Sequence, residues 1–438
     1  MEKMELIKRE GLKGNPNLGL IGATLGFFIG FAAVSLYGPA AKNFKEILGL
    51  SGISLGLLVS IPQLTGSLLR IPFGAMADKF GGKKAFMILF LLSIIGMAGL
   101  IFILFNYFPD KLRMSHYPLI LFFGALCGCG VATFPVGISQ VSYWFPQKKQ
   151  GYVLGIYGGL GNTAPGIFTL LLPFALSNLG LPKAYLLWFI FLILGTILYA
   201  LISCDSFYFQ LKSRNFTDEE SKKIAFFLGQ EIFPSSKFKE ALIISAKNIK
   251  TWILFSLYFT SFGGFLALTT WLPSYFSLFH NLDIKTSGVL TALFFSILAS
   301  LFRVLGGAIS DKIGGERLSL FSFIIILIGS LILSFSFKFF FCFLGVILMS
   351  VGMGIANAAI FKLVPKYIKE AVGGAAGWIG GLGAFGGFAV PPVLGYFVDL
   401  LGNTGFARGF LVYALLSFIS VLIIKLLLKN EKGEKCKK

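Results

Sequence analysis

The chain reads as an all-α membrane protein whose twelve spanning helices form two six-helix bundles. Three observations predict this. Apolar stretches of about 20 residues recur throughout the 438-residue chain, each long enough to cross roughly 30 Å of hydrocarbon. One long hydrophilic stretch, 205–248, separates six such runs from six more. Two pieces of text recur in both halves at nearly the same offset.

In order, helices are expected near 18–40, 52–77, 84–108, 117–144, 149–177 and 184–204, then 249–278, 287–312, 317–337, 339–364, 370–399 and 406–428. The first follows the polar segment MEKMELIKREGLKGNPNLG. With no cleavage pattern before it, that helix is expected to act as its own insertion signal. The second and eighth run into matching Asp-Lys-x-Gly-Gly loops, and the fourth stops at YWFPQKKQ. The eleventh contains the VPP of 390–392, where proline loosens the backbone ladder. Residues 1–204 are thus the first bundle and 205–248 a linker with short helices. Residues 249–438 make the second bundle with a short lysine-rich tail.

Composition fits this class, with 56% hydrophobic and 13% charged residues, 53 Gly and 50 Phe. The net charge of +19 does not indicate nucleic acid, because the basic residues are sorted by side. Of 38 Lys and Arg, 28 fall in segments on the side shared by both termini, 8 on the other side and 2 inside spans. That asymmetry is the positive-inside signal, so both termini are expected in the cytoplasm and the chain in the inner membrane. The five cysteines are an odd number, and four of them (Cys127, Cys129, Cys204 and Cys342) lie in or beside apolar spans, so no disulfide framework is indicated. His116 and His280 both belong to outer loops. No metal, cofactor or nucleophile–base set is expected, and none of the patterns indicates an enzyme.

The two basic residues inside spans are Arg70 and Arg303, in RIPFGAMADKFGG and RVLGGAISDKIGG, 233 residues apart. A cation at the centre of a membrane helix costs about 2.5–3.5 kcal/mol on insertion scales, so a duplicated one points to use. Two cations facing each other across a duplicated fold are suited to holding an anion. Gly74 and Asp78, with their counterparts Gly307 and Asp311, mark the gating loops that follow. GIYGGLGN (155–162) likewise matches GWIGGLGA (377–384) in the fifth helix of each half. Gly155, Gly158, Gly159 and Gly161, like Gly377, Gly380, Gly381 and Gly383, fall at helical spacings. Such faces allow close helix contact, here contact that also moves. Asn162 breaks the symmetry, since its counterpart is Ala384. Parallel duplication of a six-helix unit is the plan of major facilitator transporters, with a midplane site and alternating access by rocking halves.

Acidic residues are informative by absence. Within the spans no Asp or Glu lies away from the ends, so no proton-carrying carboxylate is evident. With the site empty, two unneutralised guanidiniums would oppose closure, and one bound anion would relieve this. That logic favours obligatory exchange over proton symport.

The motifs resemble one family. RIPFGAMADKFGGKK, LGLSGISLGLLVSIPQLTGSLLR, YWFPQKKQGYVLGIYGGLGN, YFTSFGGFLALTTWLPSYF, FRVLGGAISDKIGG, FKLVPK and GGLGAFGGFAVPP are similar to segments of the nitrate/nitrite porters of the major facilitator superfamily, in order across both halves. The stretch Gly155, Gly159, Gly161, Asn162 looks like that family's nitrate signature. The resemblance implies that Arg70 and Arg303 grip the anion with Asn162. It also implies that Tyr258 and Phe262 form the aromatic pair of the seventh helix and that Phe134 walls the site. The Thr163-Ala164-Pro165 that follows the signature, and Ala384 in the second stripe, depart from the family pattern. The implied function is transport of nitrate, nitrite or both; exchange is the expectation from the missing acids, and a monomer in the lipid bilayer is expected. Proton-coupled nitrate symport, or carriage of another small anion such as formate or oxalate, are the alternatives. Planar guanidiniums suit a planar, weakly hydrated monovalent anion better than a lysine ammonium does.

Overall fold

A computed structural model describes residues 10–234, 238–368 and 371–435. Its apolar helices are α1 (Pro16–Ser35), α2 (Gly52–Phe80), α3 (Gly82–Tyr107) and α4 (Met114–Ser142), followed by one continuous run, Tyr152–Ile202. Gly180, at φ +75° and ψ 170°, breaks that run into α5 (152–179) and α6 (181–202). The second half supplies α7 (Ile249–Phe279), α8 (Ile284–Ser310), α9 (Gly315–Phe335), α10 (Phe339–Val364), α11 (Gly374–Arg408) and α12 (Leu411–Lys429). Twelve helices therefore lie where the apolar runs put them, and the described residues contain no strand. Large apolar side chains such as Leu201 and Phe340 point outward. In hydrocarbon, a helix is the element that satisfies its own backbone polar groups.

The duplication holds at backbone level. Gly81 and Gly314, the equivalent first glycines of the Asp-Lys-x-Gly-Gly loops, both have φ +90°. Residues other than glycine rarely adopt that conformation. The linker contains the short helices Phe207–Lys212, Asp218–Phe227 and Phe238–Lys247. Asp218–Phe227 starts with a reciprocal Thr217–Glu220 capping box. Phe238–Lys247 lies against the start of α11, where the Trp378 indole N–H donates to the Leu242 carbonyl at 3.0 Å. Cys127, Cys129, Cys204 and Cys342 are free thiols.

The two ends of the bundle differ. At the end opposite the linker, backbone touches backbone between halves: a side-chain carbon at Gly56 would overlap the Pro391 carbonyl, and one at Gly38 would reach the Thr270 carbonyl. There the Asp399 carboxylate accepts the amide N–H groups of Gly52 and Ile53 at the start of α2. At the basic, linker-side end, the halves part around a cavity.

Candidate anion site

That cavity has a volume of about 470 Å³ and runs from Arg70 at its head to Asp78 and Tyr143 at its mouth. Phe134 and Gly74 line one wall, Phe361, Gly377 and Gly380 the other, and Ile232 and Phe233 of the linker reach its edge. Asp78 is the one acid among these lining residues, and the Tyr143 hydroxyl donates to it at 2.7 Å.

Local sequence explains how the first half presents its groups. Arg70, Phe134 and Asn162 each stand one to three residues before a proline: Pro72, Pro135 and Pro165. Proline has no N–H to continue the ladder, so helices loosen just before it. Accordingly α2 has a joint at Leu69, between the segments Gly52–Leu68 and Arg70–Phe80. In α4 a tight turn at Cys129–Ala132 precedes Phe134, and α5 has a joint at Asn162 and Thr163. The second half achieves distortion differently. Phe262 lies in a wide π-type turn of α7, Phe259–Gly263, and α8 has another at Ala292–Ile297, before Arg303. Such turns recur at functional sites.

Three of the predicted residues, Arg70, Arg303 and Tyr258, gather around the Phe262 ring. The guanidinium carbons of Arg70 and Arg303 lie 5.3 and 5.4 Å from the centroid of Phe262. Arg70 also stands 5.3 Å from the Phe134 ring. All three distances are in the cation–π range. Tyr258 stacks on Phe262 at 4.9 Å and 14° and packs against Phe361 at 4.8 Å. Arg70 is 2% exposed and donates across the half–half boundary to the Gly380 carbonyl at 2.9 Å. Its Nε and second terminal nitrogen, both buried, have no partner. Arg303 is half-buried and directs one nitrogen at the Tyr258 hydroxyl, 3.4 Å away in its own half. Asn162 is 2% exposed, and neither end of its amide has a partner. Its backbone N–H donates to the Gly158 carbonyl at 3.1 Å, and Ser300 Oγ lies 3.3 Å from its backbone carbonyl. The expected direct opposition of two cations is therefore modified: a shared aromatic ring holds both, and Arg70 has one carbonyl partner.

The glycine stripes are not equivalent. Gly155 and Gly158 meet nothing within 4 Å of an added side-chain carbon, and Gly159 meets only Val304, at 3.8 Å. Only the end of that stripe is packed, Gly161 against Phe27. In the second stripe Gly383 abuts Tyr258, and Gly381 comes against Ile71 of α2. A carbon at Gly380 would lie 3.3 Å from Phe361 and one at Gly377 3.6 Å from Leu242. Close contact along both stripes is the sequence expectation; it holds along the second stripe but in the first only at Gly161, because the halves are parted beside the rest of that stripe on α5. Among the gating positions, Gly74 faces Pro135 of α4, Gly307 faces open space, and the side chain of Asp311 lies outside the described residues.

Sequence reading missed the Gly380 carbonyl, Phe361 and Asn357. A carbonyl leaves no signature in side-chain text. Asn357, a lone amide within the apolar GMGIANAAIF of α10, did leave one.

Twelve apolar helices duplicated as six plus six, with basic groups converging between the halves, define a membrane carrier rather than an enzyme. The sequence model of the Major Facilitator Superfamily matches residues 23–391 and again 280–438, and the chain belongs to that superfamily. It is 29% identical over 413 residues to the probable nitrate transporter NarT of Staphylococcus epidermidis, covering 94% of this chain and 96% of that one. It is also 29% identical to the nitrite extrusion protein of Bacillus subtilis, with 91% and 92% covered. Identity is again 29% to the probable nitrate/nitrite antiporter NarK1 of Thermus thermophilus, with 85% and 83% covered. Among solved structures, a partially occluded inward-open conformation of the xylose transporter XylE from E. coli superposes with a TM-score of 0.70. It has 16% identity over 94% of this chain and 99% of that one, a likeness of fold alone.

Proposed function

We propose that this chain carries nitrate and nitrite across the membrane by alternating access, exchanging one for the other. The observation that carries the reading is the pair of arginines, one from each half, set against a single aromatic ring with guanidinium donors unspent. A planar anion lying along the Phe262 face would accept in-plane bonds from Arg70 on one side and Arg303 on the other. Asn162 adds neutral donors, Tyr258 completes the stack, and Phe134 closes the wall over Arg70. The names of the three relatives, a probable nitrate transporter, a nitrite extrusion protein and a probable nitrate/nitrite antiporter, agree with this assignment.

The open cavity at the basic end and the sealed opposite end describe one of the two states that such a carrier needs. The distribution of lysine and arginine supports a cytoplasmic location for that open end and for both termini. Among the described residues the cavity offers no carboxylate at the arginines, which favours exchange over proton coupling. Proteoliposomes loaded with nitrite, nitrate, formate or nothing provide the test. Uptake of labelled nitrate should require internal nitrite or nitrate and ignore a pH gradient. Uptake from empty liposomes driven by external acid would refute exchange, and formate replacing nitrate as the better substrate would refute the assigned anion.

A further inference from the structure

Behind Arg303 lies a second, much smaller void of about 10 Å³, bounded by Arg303, Asn162, Asn357, Ser300, Ala299 and Phe265. Its size admits about one oxygen-sized group. Its polarity is out of proportion to that size. Neither end of the Asn162 amide has a partner, and the Asn357 Oδ1 has none. Both residues are 2% exposed. Buried amides are nearly always hydrogen-bonded, and leaving one unmet is costly. Ser300 does not meet them through its hydroxyl proton, because Oγ lies 2.9 Å from its own helix's Ser296 carbonyl. Asn357 sits one helical turn from Phe361, which lines the main cavity, so both voids lie against the same face of α10.

We infer that Asn357 is a specificity-determining residue that, with Asn162, receives the third oxygen of nitrate. The inference rests on the nitrate/nitrite reading above and deepens it. Nitrate carries three equivalent oxygens in one plane. Two of them can face Arg70 and Arg303 along Phe262, and the third then points into the niche, where either amide can turn its Nδ2 protons toward it. Nitrite has only two oxygens, so it leaves the niche amides unmet. A buried polar site that lacks its partner discriminates strongly against the smaller ligand. The missing amide at Ala384 is thereby supplied from a different helix of the second half.

The test is thermal stabilisation of the purified full-length chain, titrated with nitrate and with nitrite, in the wild type, Asn357→Leu and Asn357→Asp. The wild type should bind nitrate about tenfold or more tightly than nitrite. Asn357→Leu keeps the volume but removes the amide. It should bring that ratio to within about twofold while nitrite affinity stays within about threefold of wild type. Asn357→Asp keeps the shape and adds a like charge, so it should weaken both anions by about tenfold or more. If Asn357→Leu does not fold, the aspartate variant alone decides, and undiminished anion binding there overturns the assignment. A wild-type ratio retained in Asn357→Leu, or equal losses for both anions, also overturns it. A wild type stabilised by neither anion would instead refute the nitrate/nitrite reading itself.

Discussion

The two arginine-bearing segments share their text but not their surroundings. Arg70 is fully buried, reaches across to a backbone carbonyl of the other half, and touches two phenyl rings. Arg303 is half-buried, stays within its own half at Tyr258, and borders the amide niche. The helices carrying them are distorted by different means, prolines in the first half and wide turns of α7 and α8 in the second. Duplication therefore preserved the cation and the loop that follows it, while each half found its own way to loosen a helix at the site. In this state the first arginine ties the halves together at the head of the cavity, and the second borders the small amide niche.

The sharpest test of that difference replaces each guanidinium. Arg70→Lys and Arg303→Lys should each lower initial nitrate uptake in proteoliposomes by about tenfold or more, because an ammonium cannot bind a planar anion in two places. Arg70→Lys should be the more severe, since it also weakens the contact to Gly380. Equal losses would break the proposed division of roles, and near-wild-type uptake in either variant would break the two-arginine site.

A second pair contrasts the sealed and open ends. Gly56→Val sets a side chain against the Pro391 carbonyl and should hold the end opposite the linker open. A cysteine placed beside it should then label several-fold faster. Gly155→Val meets nothing in this state, so it should leave this conformation intact and slow transport only when α5 and α8 must close. If both variants shift labelling alike, the stripe on α5 is packed in solution after all.

The smallest effect is expected at Asp399, whose carboxylate caps α2 from the other half. A charge at a helix N-terminus contributes roughly 0.3–1 kcal/mol when exposed, so Asp399→Asn should shift the balance of states by about two- to fivefold. The same labelling assay reads the shift, which should shrink in high salt. An Asp399→Asn protein indistinguishable from wild type at low salt would reduce the contact to a local cap.

Much of the site was legible one residue at a time. Arg70 and Arg303 stand out as cations in apolar text and Asn162 as a broken repeat, whereas Tyr258, Phe262 and Phe134 are implied only by the family resemblance. The prolines after Arg70, Phe134 and Asn162 were equally visible and mark where three helices loosen. Asn357 carried the same kind of signal as Asn162 but lay outside any repeat, so nothing drew attention to it. The wide turns of α7 and α8 have no comparable marker, because no single residue type forces them.

The spans, their number and the six-plus-six division follow from the order of apolar and polar runs along the sequence, since a backbone in hydrocarbon must close its hydrogen bonds within each helix. The duplicated cations follow from the text as well, because charge is a property of the residue itself. Which end is sealed, which glycine stripe is packed, and which donors are left unspent belong to another category. They depend on contacts such as Arg70 to Gly380 and Gly56 to Pro391, between residues more than 300 positions apart. A rocking of the halves can exchange those contacts while every helix remains the same.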